Sequence, residues 1–324
     1  MRAATALRAL ASGVLVWLVI QALLFALVQS APGGPAAALA GDFASRETQA
    51  AVVRSFALDQ PKAQQFVFFI TRMAQGDWGL SYYFRQPVAG LIAERLPPTL
   101  LLMLASLLTA LAAGGALGLW AAAHPRRSSV VAAAASLIYA LPVFWVGQLA
   151  LRGAALELGW FPVSGLSDPR LIGGSAWTVA LDMAWHAVLP VTTLALQQAA
   201  FFATVTHAKA QLELRQGYVR AARARGLAER AVLWGHVGRN VAPQLVVVAL
   251  NRFGLLLTGA VLVETLFAWP GLGRLVAAAL LNRDHPVLLG AFGLIVAMVI
   301  AASMLADVVQ AWLDPRLRVQ EHRP

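Results

Sequence analysis

Five stretches of the chain carry no charged side chain and are long enough to cross a bilayer: Ala9 to Ser30, Pro97 to Ala123, Ser128 to Leu151, Ala187 to Thr206 and Val287 to Ala306. A sixth, Val241 to Val263, is interrupted only by Asn251-Arg252. Roughly 20 apolar residues span a hydrocarbon core of about 30 Å. A backbone in lipid must satisfy its own hydrogen bonds, and these runs lack the period-two alternation of barrel strands, so each reads as a helix. The expected fold class is an all-α polytopic membrane protein with six transmembrane helices. Composition agrees: 59% of the 324 residues are hydrophobic and 12% are charged, against about a quarter charged in a soluble domain.

The formal charge of +10, from 25 Lys and Arg against 15 Asp and Glu, raises a nucleic-acid partner as a first thought. That surface would need clustered charge on an otherwise soluble protein, and here long uncharged runs separate the charges. The excess reads instead as orientation. With the N-terminus inside, segments 1–8, 124–127, 207–240 and 312–324 carry 14 Lys and Arg, against 10 in the three outer segments. Five of the six basic residues in 31–96 lie well away from helix ends, which sharpens the contrast and assigns both termini to the cytoplasm. The first run follows Arg2 and Arg8, and Ala38-Leu39-Ala40 resembles a cleavage site. Its apolar stretch exceeds the 7–15 residues of a signal peptide core, so it is expected to stay as a helix. The chain has no cysteine, which excludes disulfides, thiolate metal sites and a Cys nucleophile.

The expected organisation is an N-terminal helix, 1–30, an extracytoplasmic cap, 31–96, a five-helix core, 97–311, containing a cytoplasmic loop at 207–240, and a cytoplasmic tail, 312–324. The cap contains an amphipathic stretch, Gln64 to Arg72, with Phe66, Phe69 and Ile70 on one helical face. The loop reads as two short helices. In Tyr218-Val219-Arg220-Ala221-Ala222-Arg223-Ala224-Arg225-Gly226, positions 218, 221, 222 and 225 share a face, and Gly226 is a natural left-handed stop. Two readings stand at this point: small residues flanked by arginines suit close approach by another protein, and a basic amphipathic helix suits anionic headgroups.

These residues, followed by Leu227, Arg239-Asn240 and Pro243, resemble the cytoplasmic-loop signature of binding-protein-dependent ABC transporter permeases of the dipeptide, oligopeptide and nickel family. The general pattern is Glu-Ala-Ala, three residues, then Gly; Arg220 stands at the Glu position, as it commonly does in peptide-type members, and Ala221, Ala222 and Gly226 match. The similarity runs on in order along nearly the whole chain, through Gly76-Asp77-Trp78-Gly79-Leu80-Ser81, Glu94-Arg95-Leu96-Pro97-Pro98-Thr99-Leu100, Pro142-Val143-Phe144-Trp145 and Trp160-Phe161-Pro162-Val163-Ser164-Gly165. It continues in Val263-Glu264-Thr265-Leu266-Phe267-Ala268-Trp269-Pro270-Gly271, Asn282-Arg283-Asp284-His285-Pro286 and Leu313-Asp314-Pro315-Arg316-Leu317-Arg318.

The resemblance implies the type I, MetI-like importer permease fold with an extracytoplasmic insertion between helices 1 and 2, in the bacterial inner membrane. It implies a non-catalytic subunit of an ATP-driven importer of peptides, which pairs with a second homologous permease chain. One or two ABC ATPase subunits would seat the loop helix through Tyr218, Arg220, Ala221, Ala222, Arg225 and Gly226, and an extracytoplasmic solute-binding protein would deliver substrate. A nickel chelate, glutathione or another small solute is the alternative cargo. ATP and Mg belong on the partner ATPase, and the residues say so independently: the only lysines, Lys62 and Lys209, follow Pro61 and Ala208, so no Walker A loop exists here.

Intramembrane polar groups are default functional candidates, because a charge at the bilayer centre costs roughly 2.5–3.5 kcal/mol even on an insertion scale. Arg252, beside Asn251, is at the middle of the fifth run. Either it faces a water-filled pathway and attracts a substrate carboxylate, or it pairs internally with Asp307 or Glu264, or with the partner permease. Asp307 and Glu264 match family positions near membrane ends and are expected to be structural. Gly114 and Gly118 form a small-xxx-small pair suited to helix packing. Trp160, Trp185, Trp269 and Trp312 lie near helix ends, as interface belts do. The six histidines fall on different segments without His-Glu-x-x-His spacing, so no metal site is expected, and Gly271-x-Gly273 lacks the strand and third glycine of a dinucleotide loop. A self-contained secondary transporter would show inverted repeats and paired broken helices, and no repeat is visible. A membrane hydrolase would need a nucleophile and base or a metal set at depth, and neither is seen.

Overall fold

A computed structural model of the chain describes residues 3–30, 60–171 and 174–313. The Ala38-Leu39-Ala40 segment, half of the expected cap, and the tail from Asp314 lie outside the described residues. Helices account for nearly all the regular structure described: α1 (Ala3–Ser30), α2 (Lys62–Ala74), α3 (Val88–Ala123), α4 (Pro125–Ala140), α5 (Val143–Glu157), α6 (Ala176–Leu214), α7 (Gly217–Ala224), α8 (Glu229–Asn251), α9 (Phe253–Leu266), α10 (Leu272–Leu281) and α11 (His285–Leu313). Among the described residues the only strand-type pairing is an isolated bridge, Leu80 to Pro87. α1, α3, α6 and α11 are each long and apolar enough to cross a membrane, and the bent pairs α4–α5 and α8–α9 bring the spans to six if each pair is one crossing.

Two of the six runs are not straight helices. The third turns by 93° between α4 and α5. Its break is at Leu141-Pro142: proline has no N–H to donate and disfavours helical backbone in the residue before it, and Leu141 is extended at φ −72°, ψ 133°. The fifth bends by 57° at Arg252, which joins α8 to α9 at φ −86°, ψ −2°. Elsewhere the helices outrun the apolar stretches. α6, with 39 residues, is about 58 Å long at 1.5 Å per residue, because it starts before the apolar run, at the Ser175 cap, and Ala208-Lys209-Ala210-Gln211-Leu212-Glu213 are strong helix formers that continue it past the run. The first residues of the expected cytoplasmic loop are therefore the end of α6.

The chain divides into two compact units. The first takes its described residues from 1–97 and 271–301. Its core is Val88, Leu91 and Ile92 of α3, Leu272, Leu275, Val276 and Ala279 of α10, and Val287, Leu288 and Ala291 of α11. The amphipathic stretch of the cap is α2, and it lies on α1 through Phe66 and Phe69, whose rings are 5.5 and 6.0 Å from that of Phe25. Asp284 is fully buried and is answered by a ring of donors: the Ser81 hydroxyl, and the backbone N–H groups of Tyr82 and Tyr83 at 3.1 Å. Ser81 in turn accepts from the N–H of Phe84 at 2.8 Å. A buried carboxylate is tolerable only when its lone pairs are met in this way. Burial, with the Asp284 charge adding to it, pushes the Tyr82 phenol up. Nearby, the Arg72 guanidinium holds Asp77 below the usual carboxylate range, and the Gly79 N–H reinforces it.

The second unit takes its described residues from 98–270 and 302–313, with α6 as its axis. Gly114 and Gly118 of α3 let two backbones meet: a Cβ on Gly114 would stand 2.3 Å from the Ala199 carbonyl oxygen, and one on Gly118 would stand 2.5 Å from that of Ala203. Gly147 of α5 lies against the ends of the Leu266 and Thr193 side chains, and Gly259 of α9 against that of Leu194, where a Cβ would stand 2.5, 3.1 and 2.8 Å away and side chains rather than backbone would have to give. Trp269 departs from the interface-belt expectation. It is fully buried, and its indole N–H donates to the Pro98 carbonyl at 3.0 Å.

Replacing Asp284 with Ala orphans the buried Ser81 hydroxyl and two partly buried backbone N–H groups, an orphaned buried donor being worth roughly 1–3 kcal/mol; the expected result is a lower melting temperature of the detergent-solubilised protein. Replacing Gly118 with Val forces overpacking against a backbone carbonyl, about 1–3 kcal/mol, read in the same assay or as a loss of folded protein in the membrane.

Candidate functional site

Two places in the second unit carry the residues singled out in the sequence. The first is α7. The helix starts after Gln216 and stops in a Schellman motif: the N–H of Leu227 donates to the Ala222 carbonyl at 3.4 Å and that of Gly226 to the Arg223 carbonyl at 2.9 Å. Gly226 has φ +78°, a left-handed backbone that glycine alone adopts without cost. α7 packs on the opening turns of α8, where the helix widens into a π-helical stretch, Val232–Val237.

This packing divides the expected face. Ala222 and Val219 are buried against the chain itself and Tyr218 is half-buried. Its hydroxyl donates to Glu213 at 2.7 Å, and burial followed by that bond pushes the phenol up. Arg220, Ala221, Ala224, Arg225 and Gly226 are exposed. The exposed face of α7 thus has two alanines between arginines, while Ala222 is part of the seat. Ala224, on the outer face, lies outside the expected set of contact residues; the burial of Val219 sets the phase of the helix. Arg223 pairs with Glu229 across the loop, which raises the arginine and lowers the carboxyl.

The second place is the bend of the fifth run. Arg252 donates from Nε to Gln198 Oε1 at 2.8 Å, and its Cζ stacks 3.7 Å from the centre of the Phe201 ring. The Tyr139 hydroxyl is 3.4 Å from an Nη. Asn251 is exposed beside it. The internal pairs considered from the sequence are not formed: among the described residues no carboxylate pairs with Arg252. Glu264 is fully buried and accepts from the Thr99 hydroxyl at 2.6 Å. Asp307 is exposed on α11. Gln198, Tyr139 and Phe201 carried no signal in the sequence, since they come from α4 and α6, distant in the chain.

No group of three or more metal-ligating side chains exists among the described residues. What the arrangement offers is mechanical and electrostatic: an outward small-and-basic face on a helix seated on α8, and, where α8 ends, a guanidinium with no carboxylate partner among the described residues.

Comparison with known proteins gives a consistent answer along the chain. Residues 114–319 match the family described as binding-protein-dependent transport system inner membrane component, and residues 4–103 match the N-terminal family of such components. A Brucella melitensis biotype 1 protein provisionally named a peptide transport system permease is 35% identical over 321 residues, covering 98% of this chain and 99% of the relative. The glutathione transport system permease protein of Escherichia coli (strain K12) is 34% identical over 304 residues, 93% of this chain and 94% of the relative. Broken spans also occur in self-contained secondary transporters, but these matches cover both of them here. The chain therefore belongs to the family of inner-membrane components of binding-protein-dependent transport systems, with the MetI-like fold, and is a multi-pass permease subunit.

Proposed function

We propose that this chain forms half of the transmembrane route of an importer of short peptides, paired with a second homologous permease, driven by one or two ATPase subunits and fed by an extracytoplasmic solute-binding protein. The full-length similarity to permeases named for peptide and glutathione transport carries the substrate class, glutathione being itself a tripeptide. Both termini face the cytoplasm in this reading, supported by the 14 basic residues assigned to the inner segments. The 31–96 segment is then extracytoplasmic, and ATP and Mg reside on the ATPase.

The coupling element is α7. Its exposed Ala221 and Ala224 permit close approach, and Arg220 and Arg225 supply charge-assisted contacts to acidic groups of an ATPase groove. α8 runs from its junction with α7 to the bend at Arg252, so a displacement of α7 by closure of the ATPase pair is delivered to the point where the fifth span is already bent. Rigid helices moving about a few hinge positions are a common way to achieve alternating access. Glu264, buried on the Thr99 hydroxyl, and Asp307, exposed on α11, have structural parts in this reading.

The experiment is substrate-stimulated ATP hydrolysis by the reconstituted transporter. Ala221→Trp with Ala224→Trp is expected to lower stimulated hydrolysis by about tenfold, the scale of one or two lost contacts, while the chain still inserts and folds; normal coupling would reject α7 as the coupling helix. Ala222→Leu should act differently, overpacking the seat on α8 at about 1–3 kcal/mol, seen as lowered thermal stability. Gly226→Ala, forced into the left-handed region, should cost about 1–2 kcal/mol and fray the end of α7, read as faster proteolysis at the loop.

A further inference from the structure

The bend of the fifth span holds a charge that no carboxylate answers among the described residues. Arg252 is midway along the apolar stretch Val241 to Val263, where a charged group persists only by facing water or a partner. Two sides of its guanidinium are accounted for. One face lies on Phe201 at 3.7 Å, and Nε donates at 2.8 Å to Gln198, which is itself buried at 4% exposure. The terminal edge is different. One Nη is at a long 3.4 Å from the Tyr139 hydroxyl, the other donates to nothing among the described residues, and Tyr139 is 44% exposed. No carboxylate neutralises the group among the described residues.

A guanidinium whose Nε and face are fixed presents its two terminal nitrogens as a planar fork, which matches the two oxygens of a carboxylate. The Tyr139 hydroxyl is placed to donate to the same anion. Lysine could not supply this geometry, and a neutral solute would leave the fork unpaired in a low-dielectric setting, where the penalty is greatest.

We propose that Arg252, held by Gln198 and Phe201 and assisted by Tyr139, is a carboxylate-recognition point in the translocation route, so that the transported solute carries a free carboxylate. The proposal rests on the reading that this chain lines an import route. It also gives the bend a part in coupling, because an anion bound at the junction of α8 and α9 senses the displacement that α7 delivers, so solute and ATPase act on the same hinge.

The test uses the transporter purified through a tag on this chain and treated with phenylglyoxal, which modifies accessible guanidinium groups, with Arg252 modification read by mass spectrometry. Acetate, dialanine and dialanine amide are compared at equal ionic strength. Expected is labelling of Arg252 in buffer, reduced at least about threefold by acetate or dialanine as a bidentate pair forms, and unaffected by the amide. Absence of labelling, as when a carboxylate of the second permease already occupies the fork, overturns the proposal, as does labelling that neither carboxylate reduces. Uptake of radiolabelled dialanine into vesicles separates the two readings: protection by acetate without any dialanine uptake removes the peptide assignment and keeps the carboxylate site. In a transporter that does import dialanine, Arg252→Gln should lower uptake about tenfold or more and Arg252→Lys should restore little of it; unchanged uptake in Arg252→Gln overturns the role in the route.

Discussion

The approach of α3 to α6 at Gly114 and Gly118 is the contact on which the second unit depends. In lipid no hydrophobic force drives helix to helix, so association relies on close packing, and here the Ala199 and Ala203 carbonyls of α6 occupy the space a side chain would need. With α3 drawn in this far, α6 can serve as the common wall for α4, α5, α8 and α9. Gly147 and Gly259 make a looser version of this contact on its other sides, against the Thr193 and Leu194 side chains rather than against backbone. Gln198, which supports Arg252, is on this wall, so the glycine contacts and the proposed anion site share one element.

The first unit is held by a different logic. Asp284 is a buried charge, and burial of an unpaired carboxylate would be prohibitive. Two successive backbone N–H groups and a serine hydroxyl answer it, which locks the Gly79-to-Phe84 turn onto the segment before α11. Motifs separated by two hundred residues in the chain are thereby one construction. Their joint occurrence in the sequence has a physical reason: the acceptor is in one motif and the donors are in the other.

Much of this is legible in the sequence. The six apolar runs predict the spans because length and lack of charge are properties of a segment by itself. The amphipathic stretch around Phe66 and Phe69 predicts α2, and Gly226 predicts the end of α7, for the same local reason. Pro142 was visible as well, but a proline within an apolar run does not say whether the helix kinks or turns by 93°; that depends on where α5 finds Thr193, Leu266 and Phe267 to pack against. Trp269 looked like an interface residue by position and is instead a buried donor to Pro98, because helix ends that meet inside the protein and helix ends at the lipid surface have the same sequence neighbourhood.

By itself the sequence determined the class of the protein, the number of apolar runs, the asymmetry of charge and the helix that ends at Gly226, all of which depend on residues close together in the chain. Only the tertiary structure decided which side of α7 is outward and what stands around Arg252. The seat of α7 is set by Val219 and Ala222 meeting α8, so Ala224 replaces Ala222 on the exposed face. The neighbours of Arg252 come from 54 and 113 positions away, and no local pattern can say that a cation in the middle of a span will be offered an amide, a ring and a phenol, and no carboxylate among the described residues.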